Sequence, residues 1–573
     1  MFSNMKPVER RLLEHCKVAK VLELGNERPT EKTVDNEIRG EFLRVLILSN
    51  NQEIDENGTK YILKIDPKGL NVQGAYISGT FDFSFCNTDL PFVFLNSVFE
   101  KKINLSDSKI RSLSLSGSKV FGINAQGLIC QGDIFLINDF ESTGKVDFIS
   151  AQIGASLYCE NGKFYNENDR ALICNGAKIE GAVFLRNGFE SKGEVNFGSA
   201  QMFELSCTKG KFNNKNGIAL NCNCAKIKGS VFLNDGFEAT GEVNFASTQI
   251  GSNLEAINGK FDNENGTVLT CNRSKIEGSV FLNDSFGEKG KLNFALTQIG
   301  KSLIFSNVQN ISVLILNFAQ INRLNGDFKN VFIIYLDGLK YEHLDIKDLS
   351  FNTFKNWLDK MPEFKPQPYK QLAKVLRNMG HNEDANDIMI KYNEELRKKD
   401  FLTCNRLFIS ILKWIYAKTA GYGYKPMSVI KWMSIVWLLC SLFYWNASKV
   451  AVFAPTNPLV FQKKDYYECH VEENGTALSD IFNWKKYNNT NNWIDSKLEG
   501  EYTTFNPFMY SLDVILPIVD LQVEKDWGQY VSSNNGTLND FTRWIMWFEI
   551  LFGWIYSLIL VAILSGLAKN EKD

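Results

Sequence analysis

Histidine is scarce. Only four occur among 573 residues: His15, His343, His381 and His470. They are scattered, and none forms the i,i+4 pair that puts two imidazoles on one helix face for zinc. No Cys-x-x-Cys is present, which removes the usual redox-dithiol and zinc patterns. The nearest approach to a dinucleotide loop is Gly421-x-Gly423-x-x-Pro426, which fails at its last glycine and borders an apolar segment. Haem and flavin fingerprints are also lacking, so the reading assigns no cofactor, no metal and no catalytic residue. Charge of one sign is missing too. Lys and Arg number 63 against 65 Asp and Glu, a net charge of -2, which leaves no basic excess for nucleic acid. Glycine, at 41 residues, is ordinary, which excludes collagen-like and linker classes. Hydrophobic residues at 44% exclude a wholly disordered chain, and the length calls for several domains or a repeat array. The first 20 residues carry Lys6, Glu9, Arg10, Arg11 and Glu14, so no cleavable signal peptide is expected. Leu12, Leu13 and Cys16 predict a short amphipathic helix there.

Phenylalanine, by contrast, is abundant at 43 residues, and its placement is periodic. GDIFLINDFESTGKVDF from Gly132 returns as GAVFLRNGFESKGEVNF from Gly181, GSVFLNDGFEATGEVNF from Gly229 and GSVFLNDSFGEKGKLNF from Gly278, at spacings of 49, 48 and 49. Three phenylalanine rows follow, expected to stack as ladders from turn to turn: Phe135/184/232/281, Phe140/189/237/286 and Phe148/197/245/294. A shorter echo, Ala151-Gln-Ile-Gly against Ala177-Lys-Ile-Glu, recurs at steps of 23 to 26. One turn of structure therefore takes about 24 residues. Apolar residues alternate (Val183, Leu185; Val195, Phe197) between Gly, Asn and Asp, which is strand-and-turn chemistry. These features predict a mainly β fold, a solenoid in which stacked turns bury a continuous column that one turn cannot bury alone. At about 4.8 Å per turn, residues 55–335 make about 11–12 turns and a rod of roughly 55 Å. Gln152, Gln201, Gln249 and Gln298 are expected to stack as an amide ladder.

The cysteines obey the same spacing. Cys174, Cys222 and Cys271 form one row, and Cys159 and Cys207 another in which the next unit has Ala256. Exchange with alanine points to small buried sites, the alternative being a metal or redox site. Cys222-x-Cys224 is expected to put both thiols on one strand face.

Two apolar segments lie near the C-terminus: Val429–Trp445, with Lys431, and Trp544–Leu567, with Glu549. The second is of a length to cross a bilayer, and the first, at 17 residues, is so if it extends into Ala447–Val452 or Lys431 snorkels; tryptophan stands at the ends, and buried core helices are the alternative. Lys413, Lys418, Lys425 and Lys431 precede the first, and Lys569 and Lys572 follow the second. The positive-inside rule then puts both flanks in the cytoplasm and residues 446–542 outside. That outer stretch holds one cysteine, Cys469, while the other eleven suit a reducing compartment. Asn474-Gly-Thr is one of several chance N-x-S/T sequences in an Asn-rich chain.

Between rod and membrane, Phe351, Phe354, Trp357 and Leu358, then Leu372, Val375, Leu376 and Met379, change to helical spacing. Gly380 reads as a helix end and Asp384–Lys398 as the next helix. This hairpin is an adaptor or a docking surface, and Lys398, Lys399, Arg406 and Lys413 are placed to meet anionic headgroups. Tyr502–Gln522 contains PFMYSLDVILPIVDL, too short and too broken by Pro507 and Pro517 to span. Span, half-helix, turn, span is the order of two-span ion channels. No Thr-Val-Gly-Tyr-Gly follows, so potassium selectivity is not supported. Asp513 and Asp520, seven apart, would share a helix face unless Pro517 breaks it. In a symmetric oligomer they form carboxylate rings for cations, or else they cap helices and pair with Lys525. Glu549 lies inside the second span, where such a group is functional by default unless it faces water near the span's start. The candidate pore or ion-binding residues are therefore Asp513, Asp520 and Glu549.

Several long motifs resemble one family. They are Lys6-Pro-Val-Glu-Arg-Arg-Leu-Leu, Glu37-Ile-Arg-Gly-Glu-Phe-Leu-Arg-Val-Leu46, GSVFLNDGFEATGEVNF, Lys365-Pro-Gln-Pro-Tyr-Lys-Gln-Leu, Ala373-x-x-Leu-Arg-x-x-Gly380-His-x-x-Asp384-Ala, Gly421-Tyr-Gly-Tyr-Lys-Pro426 and Phe505-Asn-Pro-Phe-Met-Tyr-Ser-Leu-Asp-Val-Ile-Leu-Pro-Ile-Val-Asp-Leu521. Nearly end to end, the chain is similar to bacterial membrane proteins with pentapeptide-like repeats, commonly labelled "membrane-associated oxidoreductase". The resemblance implies a bacterial inner-membrane location and, through the label, redox chemistry. The expected organisation is a helical cap over 1–54, a β-solenoid over 55–340, a helical linker over 341–425 and a membrane domain over 426–573. In that domain the spans fall at about 429–449 and 544–567, with a re-entrant-like segment at 505–522. The favoured function is a cytoplasmic solenoid that binds or senses a protein partner, joined to a two-span, channel-like module in a homo-oligomer within the bilayer. An oxidoreductase and a purely structural scaffold are the alternatives.

Overall fold

In a computed structural model the chain is described over residues 4–566, except 57–58, 264–265, 285–289, 309–310, 327, 404–406, 450–451, 458, 461–501 and 530–537. Phe286, Cys404, Arg406, Cys469, His470, Asn474, Leu567, Lys569 and Lys572 lie outside the described residues. The chain divides into two units, 1–385 and 386–573.

The first unit is a coil of short parallel strands, a β-solenoid. Leu70 pairs with Phe92, Phe92 with Leu113, Leu113 with Ile134, and so on through Val183, Val231 and Val280 to Leu344. This makes about 11 turns. Strands of two residues suffice because corners follow at once. At those corners Asp107, Asn138, Asn161, Asn187 and Asn258 take a left-handed backbone, with φ between 51° and 55°. Asn and Asp tolerate that region, which is why they punctuate the repeat.

The 48–49-residue repeat is two turns long, and this corrects two expectations. Gln152, Gln201, Gln249 and Gln298 do not form an amide ladder. Lys178, Lys226 and Lys275 stand between them in the intervening turns. Two turns is roughly 9.6 Å, beyond hydrogen-bond reach. For the same reason Phe184, Phe232 and Phe281 are separated by Ser206 and Glu255 rather than stacked ring on ring. Only at Phe135 does an aromatic fill the gap: Tyr158 stacks on it at 4.9 Å and on Phe184 at 5.0 Å.

The continuous ladder is the Phe140 row, because each half-repeat supplies a ring. Phe140, Phe164, Phe189, Phe212, Phe237 and Phe261 follow one another at centroid distances of 5.1 to 5.3 Å. The Phe148 row alternates instead. One residue beyond the paired Asp147, Ile173, Asn196, Asn221, Asn244, Thr270 and Asn293 come Phe148, Cys174, Phe197, Cys222, Phe245, Cys271 and Phe294. Cys159 and Cys207 likewise alternate with Leu136, Leu185 and Leu233, and Ala256 takes the next small position. Large and small side chains thus interleave along one column, all of them buried. Cys222-x-Cys224, however, is not on one strand face. Cys222 is buried, while Cys224 sits on a corner with φ 59° and is exposed.

Both ends of the coil are closed. At the start, Leu22–Glu23 and Glu37–Arg39 add strands to the two sheets. Helices α1 (Pro7–Lys17) and α2 (Gly40–Leu48) belong to this end, with Leu12, Leu13, Cys16, Phe42 and Leu46 buried. Glu9, fully buried, accepts from Arg39 at 2.6 and 2.8 Å. At the far end α3 (Phe351–Asp359) sets Trp357 against Phe328 at 4.6 Å. Helix α4 (Pro366–Asn378) offers side-chain amides to the last strand. Gln367 Nε2 donates to Leu339 O at 2.8 Å and Gln371 Nε2 to Tyr341 O at 2.7 Å. Lys360 serves the other sheet, its carbonyl accepting from Ile334 N at 3.1 Å. A bare edge would recruit another chain, and these contacts remove it. Helix α5 (Asn382–Thr403) follows the left-handed Gly380.

Removing one rung tests the column. Phe212→Ala should lower the stability of the β-unit by about 3–5 kcal/mol in denaturant unfolding followed by circular dichroism. Phe203→Ala, on the exposed face, should change it by no more than about 0.5 kcal/mol.

Candidate functional site

The second unit begins within α5 and continues through α6 (Leu407–Ala420), α7 (Pro426–Ser448), α8 (Pro507–Ile515), α9 (Val523–Asp526) and α10 (Leu538–Leu564). Pro426–Ser448 and Phe541–Leu564 are long and apolar enough to cross a membrane, with mean hydropathy 1.6 and 2.1. Only 22% of each apolar window is buried. Leu438, Leu439, Leu551 and Leu558 stand exposed, as suits a helix solvated by lipid and not the core of a water-soluble unit.

Helix α8 is nine residues, about 14 Å, too short to cross. It starts where the sequence dictates. Asn506 Oδ1 accepts from Phe508 N at 3.0 Å and Met509 N at 3.2 Å, and Pro507 takes the first helical position. It ends at Ile515, two residues before Pro517. Three contacts hold it to the long helices. Trp437 Nε1 donates to Phe508 O at 3.1 Å, and Ser511 Oγ lies 3.1 Å from Trp437 O. On the opposite side Gly553 of α10 abuts the last turn. A Cβ at Gly553 would sit 2.1 Å from Ile515 O, so only glycine permits the approach. Beside α8, Tyr444, Phe453, Phe505, Tyr510 and Trp527 form an aromatic cluster with centroids 4.3 to 5.8 Å apart. It is closed by a two-stranded antiparallel pair, Phe453–Pro455 with Trp527–Gln529.

The three candidate carboxylates come to different places. Asp513, buried on α8, accepts from Leu521 N at 2.6 Å and Glu524 N at 2.8 Å, fixing the chain that leaves the half-helix. Asp520 is on that returning chain, not on α8, so the two do not share a helix face. It accepts from Gln522 N at 2.9 Å and pairs with Lys525. The Lys525 hydrogen bond holds the Asp520 carboxyl below its ordinary range and raises Lys525. Next to it Ile518 is 80% exposed, and Val519 and Leu521 are exposed as well. Glu549 does not face water. It is fully buried, accepts from Tyr444 OH at 2.7 Å and contacts Ser511 Oγ. Trp437, Tyr444, Ser511 and Gly553 were not singled out from sequence. Their signal was present: polar atoms and a glycine inside apolar segments, each needing a partner there.

On the solenoid, three surface loops recur every second turn and close alike. Asn166 Nδ2 donates to Arg170 O at 2.8 Å, Asn214 Nδ2 to Ile218 O at 2.9 Å and Asn263 Nδ2 to Thr267 O at 2.8 Å. Gly193 and Gly241 cross beneath the first two with φ 116° and 121°, and a Cβ would strike Asn166 O at 2.5 Å and Asn214 O at 2.4 Å. The first two loops border a polar groove of about 650 Å³ lined by Asp169, Arg170, Lys192, Glu194 and Lys215.

The buried thiols offer little redox chemistry. Burial pushes Cys16 and Cys130 up to about 12, and raises Cys159, Cys174, Cys207, Cys222 and Cys271 further. A protonated, enclosed thiol is a poor nucleophile and metal ligand. No group of three or more His, Cys, Asp or Glu suited to a metal ion occurs among the described residues.

Two outcomes test this geometry. Maleimide should label Cys224 of the folded protein rapidly, whereas Cys159, Cys174, Cys207, Cys222 and Cys271 should react only after denaturation, read by peptide mass spectrometry. Gly553→Val should displace α8 and lower the thermal midpoint of the second unit, leaving the β-sheet circular dichroism of the first unchanged. Compared with protein-family models, curated proteins and solved structures, the chain matches none, and its site is read from its own geometry.

Proposed function

We propose that this chain is a membrane-anchored β-solenoid whose second unit, assembled as a homo-oligomer, conducts cations past Asp520, while the rod binds a protein partner. The observation that carries the reading is α8: a half-helix wedged between two helices of crossing length, followed by a returning chain. That chain presents Asp520 beside the exposed Ile518 and Val519. In a monomer these apolar side chains are exposed, and in a ring of copies they pack between subunits while Asp520 lines the mouth. A carboxylate there attracts cations. Asp513 shapes the loop that positions it. The solenoid partner would meet the polar groove beside the Asn166 and Asn214 loops, where acidic and basic side chains stand together.

Lysine flanks and the resemblance to bacterial membrane proteins favour a plasma-membrane location with solenoid and termini in the cytoplasm. The oxidoreductase label of the similar proteins draws no support from the buried thiols, which burial keeps protonated. A scaffold without conduction is the outcome that the following experiment separates.

Purified protein in planar bilayers should pass a cation-selective current, and its mass in detergent should be a multiple of 65.2 kDa. Asp520→Asn should lower the current several-fold, and Lys525→Met, which frees the carboxylate, should raise it. A silent, monomeric protein would leave only the anchored scaffold.

A further inference from the structure

Glu549 lies off the path given to Asp520, and its surroundings are specific. The groups facing it are Cys440 and Tyr444 from α7, Tyr510 and Ser511 from α8, and Glu524 from α9. All are neutral or acidic. No ion pair reaches Glu549 among the described residues. An anion enclosed by apolar helices without a cation is costly, by several kcal/mol per ion even after relaxation.

The proton count agrees. Ser511 has one hydroxyl hydrogen and two acceptors in reach, Trp437 O at 3.1 Å and the near oxygen of Glu549. Both contacts are hydrogen bonds at once only if the acid supplies a second proton. A neutral glutamic acid satisfies every group. Its O–H donates to Ser511 Oγ, Ser511 donates to Trp437 O, and its carbonyl accepts from Tyr444 OH at 2.7 Å.

We propose that Glu549 is a proton-binding site, a neutral acid whose proton ties the half-helix α8 to both long helices and whose release loosens it. When the proton leaves to water, the anion claims the Ser511 hydroxyl hydrogen and the Ser511–Trp437 link is lost. α8 is then held to α7 at Phe508 O alone among these polar contacts. The inference rests on the channel-like reading for its consequence, a half-helix whose seating depends on pH, but not for its chemistry.

Infrared spectra of the full chain in lipid nanodiscs decide it. At neutral pH the wild type should show a carboxylic-acid carbonyl band that shifts in D2O and is absent from Glu549→Gln, a variant that keeps the neutral donor–acceptor pattern. A difference spectrum showing only carboxylate bands would overturn the assignment. Without any substitution, dicyclohexylcarbodiimide should add to the protonated acid and leave an N-acylurea on Glu549, found by mass spectrometry; an unmodified Glu549 peptide would count against it. Amide exchange across Pro507–Ile515, corrected for intrinsic pH effects, should rise as the band titrates away in the wild type and stay flat in Glu549→Gln. Equal exchange in the two would overturn the release step. A band present in a protein that carries no current would sink conduction and leave the proton site standing.

Discussion

Register between successive turns is the constraint on which the rod depends. Each short strand makes hydrogen bonds only to the turn before and the turn after, so a side chain's neighbours are set by what lies one turn away along the chain. A two-residue strand contributes almost nothing alone. Its column contributes everything. The ladder from Phe140 to Phe261 is continuous because rings from two register positions interleave: Phe164, Phe212 and Phe261, opposite Ser142, Ser191 and Ala239, fill the turns between Phe140, Phe189 and Phe237. The Phe148 column fills its space by alternating Phe with Cys, a large side chain in one turn and a small one in the next. Cysteine is there as volume. Its burial and its raised thiol follow from packing, and neither needs a chemical role.

This separates what the sequence revealed from what it hid. Coil, turn length and the buried Cys/Ala positions were legible, because each depends on local pattern: alternation, corner residues, a spacing near 24. Lateral neighbours were not. Identical letters 48 or 49 apart suggested stacked glutamines and stacked Phe184, Phe232 and Phe281, but a two-turn repeat sets identical residues in alternate turns, with Lys178 or Ser206 between them. Cys222 and Cys224 look like strand neighbours until the corner at Cys224 turns one of them out. The same limit governs the second unit. Both long helices and the half-helix could be read from hydropathy and prolines. The partners of Glu549 come from Tyr444, 105 positions away, and Ser511, 38 away, and no local pattern announces them.

In the second unit the accounting changes from volume to polarity. Apolar surroundings offer few hydrogen bonds, so most polar atoms between these helices need a partner on another helix, although Ser441 Oγ of α7 has none. Trp437 Nε1, Ser511 Oγ, Tyr444 OH and Glu549 are each satisfied across a helix boundary, and together they place α8. Gly553 completes the seat by letting the Ile515 carbonyl approach where any side chain would collide. Asp513 is the exception within the half-helix. Its carboxylate faces backbone N–H groups of Leu521 and Glu524, which makes it a template for the loop and leaves Asp520 as the exposed acid.

The closed ends of the rod bear on what it does. A solenoid with bare edges would add copies end to end, and its length would be unlimited. Here Gln367, Gln371 and Lys360 occupy the groups the last strands would offer to another turn, and α1 and α2 belong to the first. The rod is therefore a fixed number of turns with defined ends, and association must use its faces. On those faces the three Asn-closed loops repeat every second turn, the period of the sequence repeat itself. A surface that repeats at roughly 9.6 Å is a product of the two-turn unit. Selection on the loops is thereby tied to selection on the column beneath, because Gly193 and Gly241 serve both: each continues its strand and leaves room for the loop that folds over it.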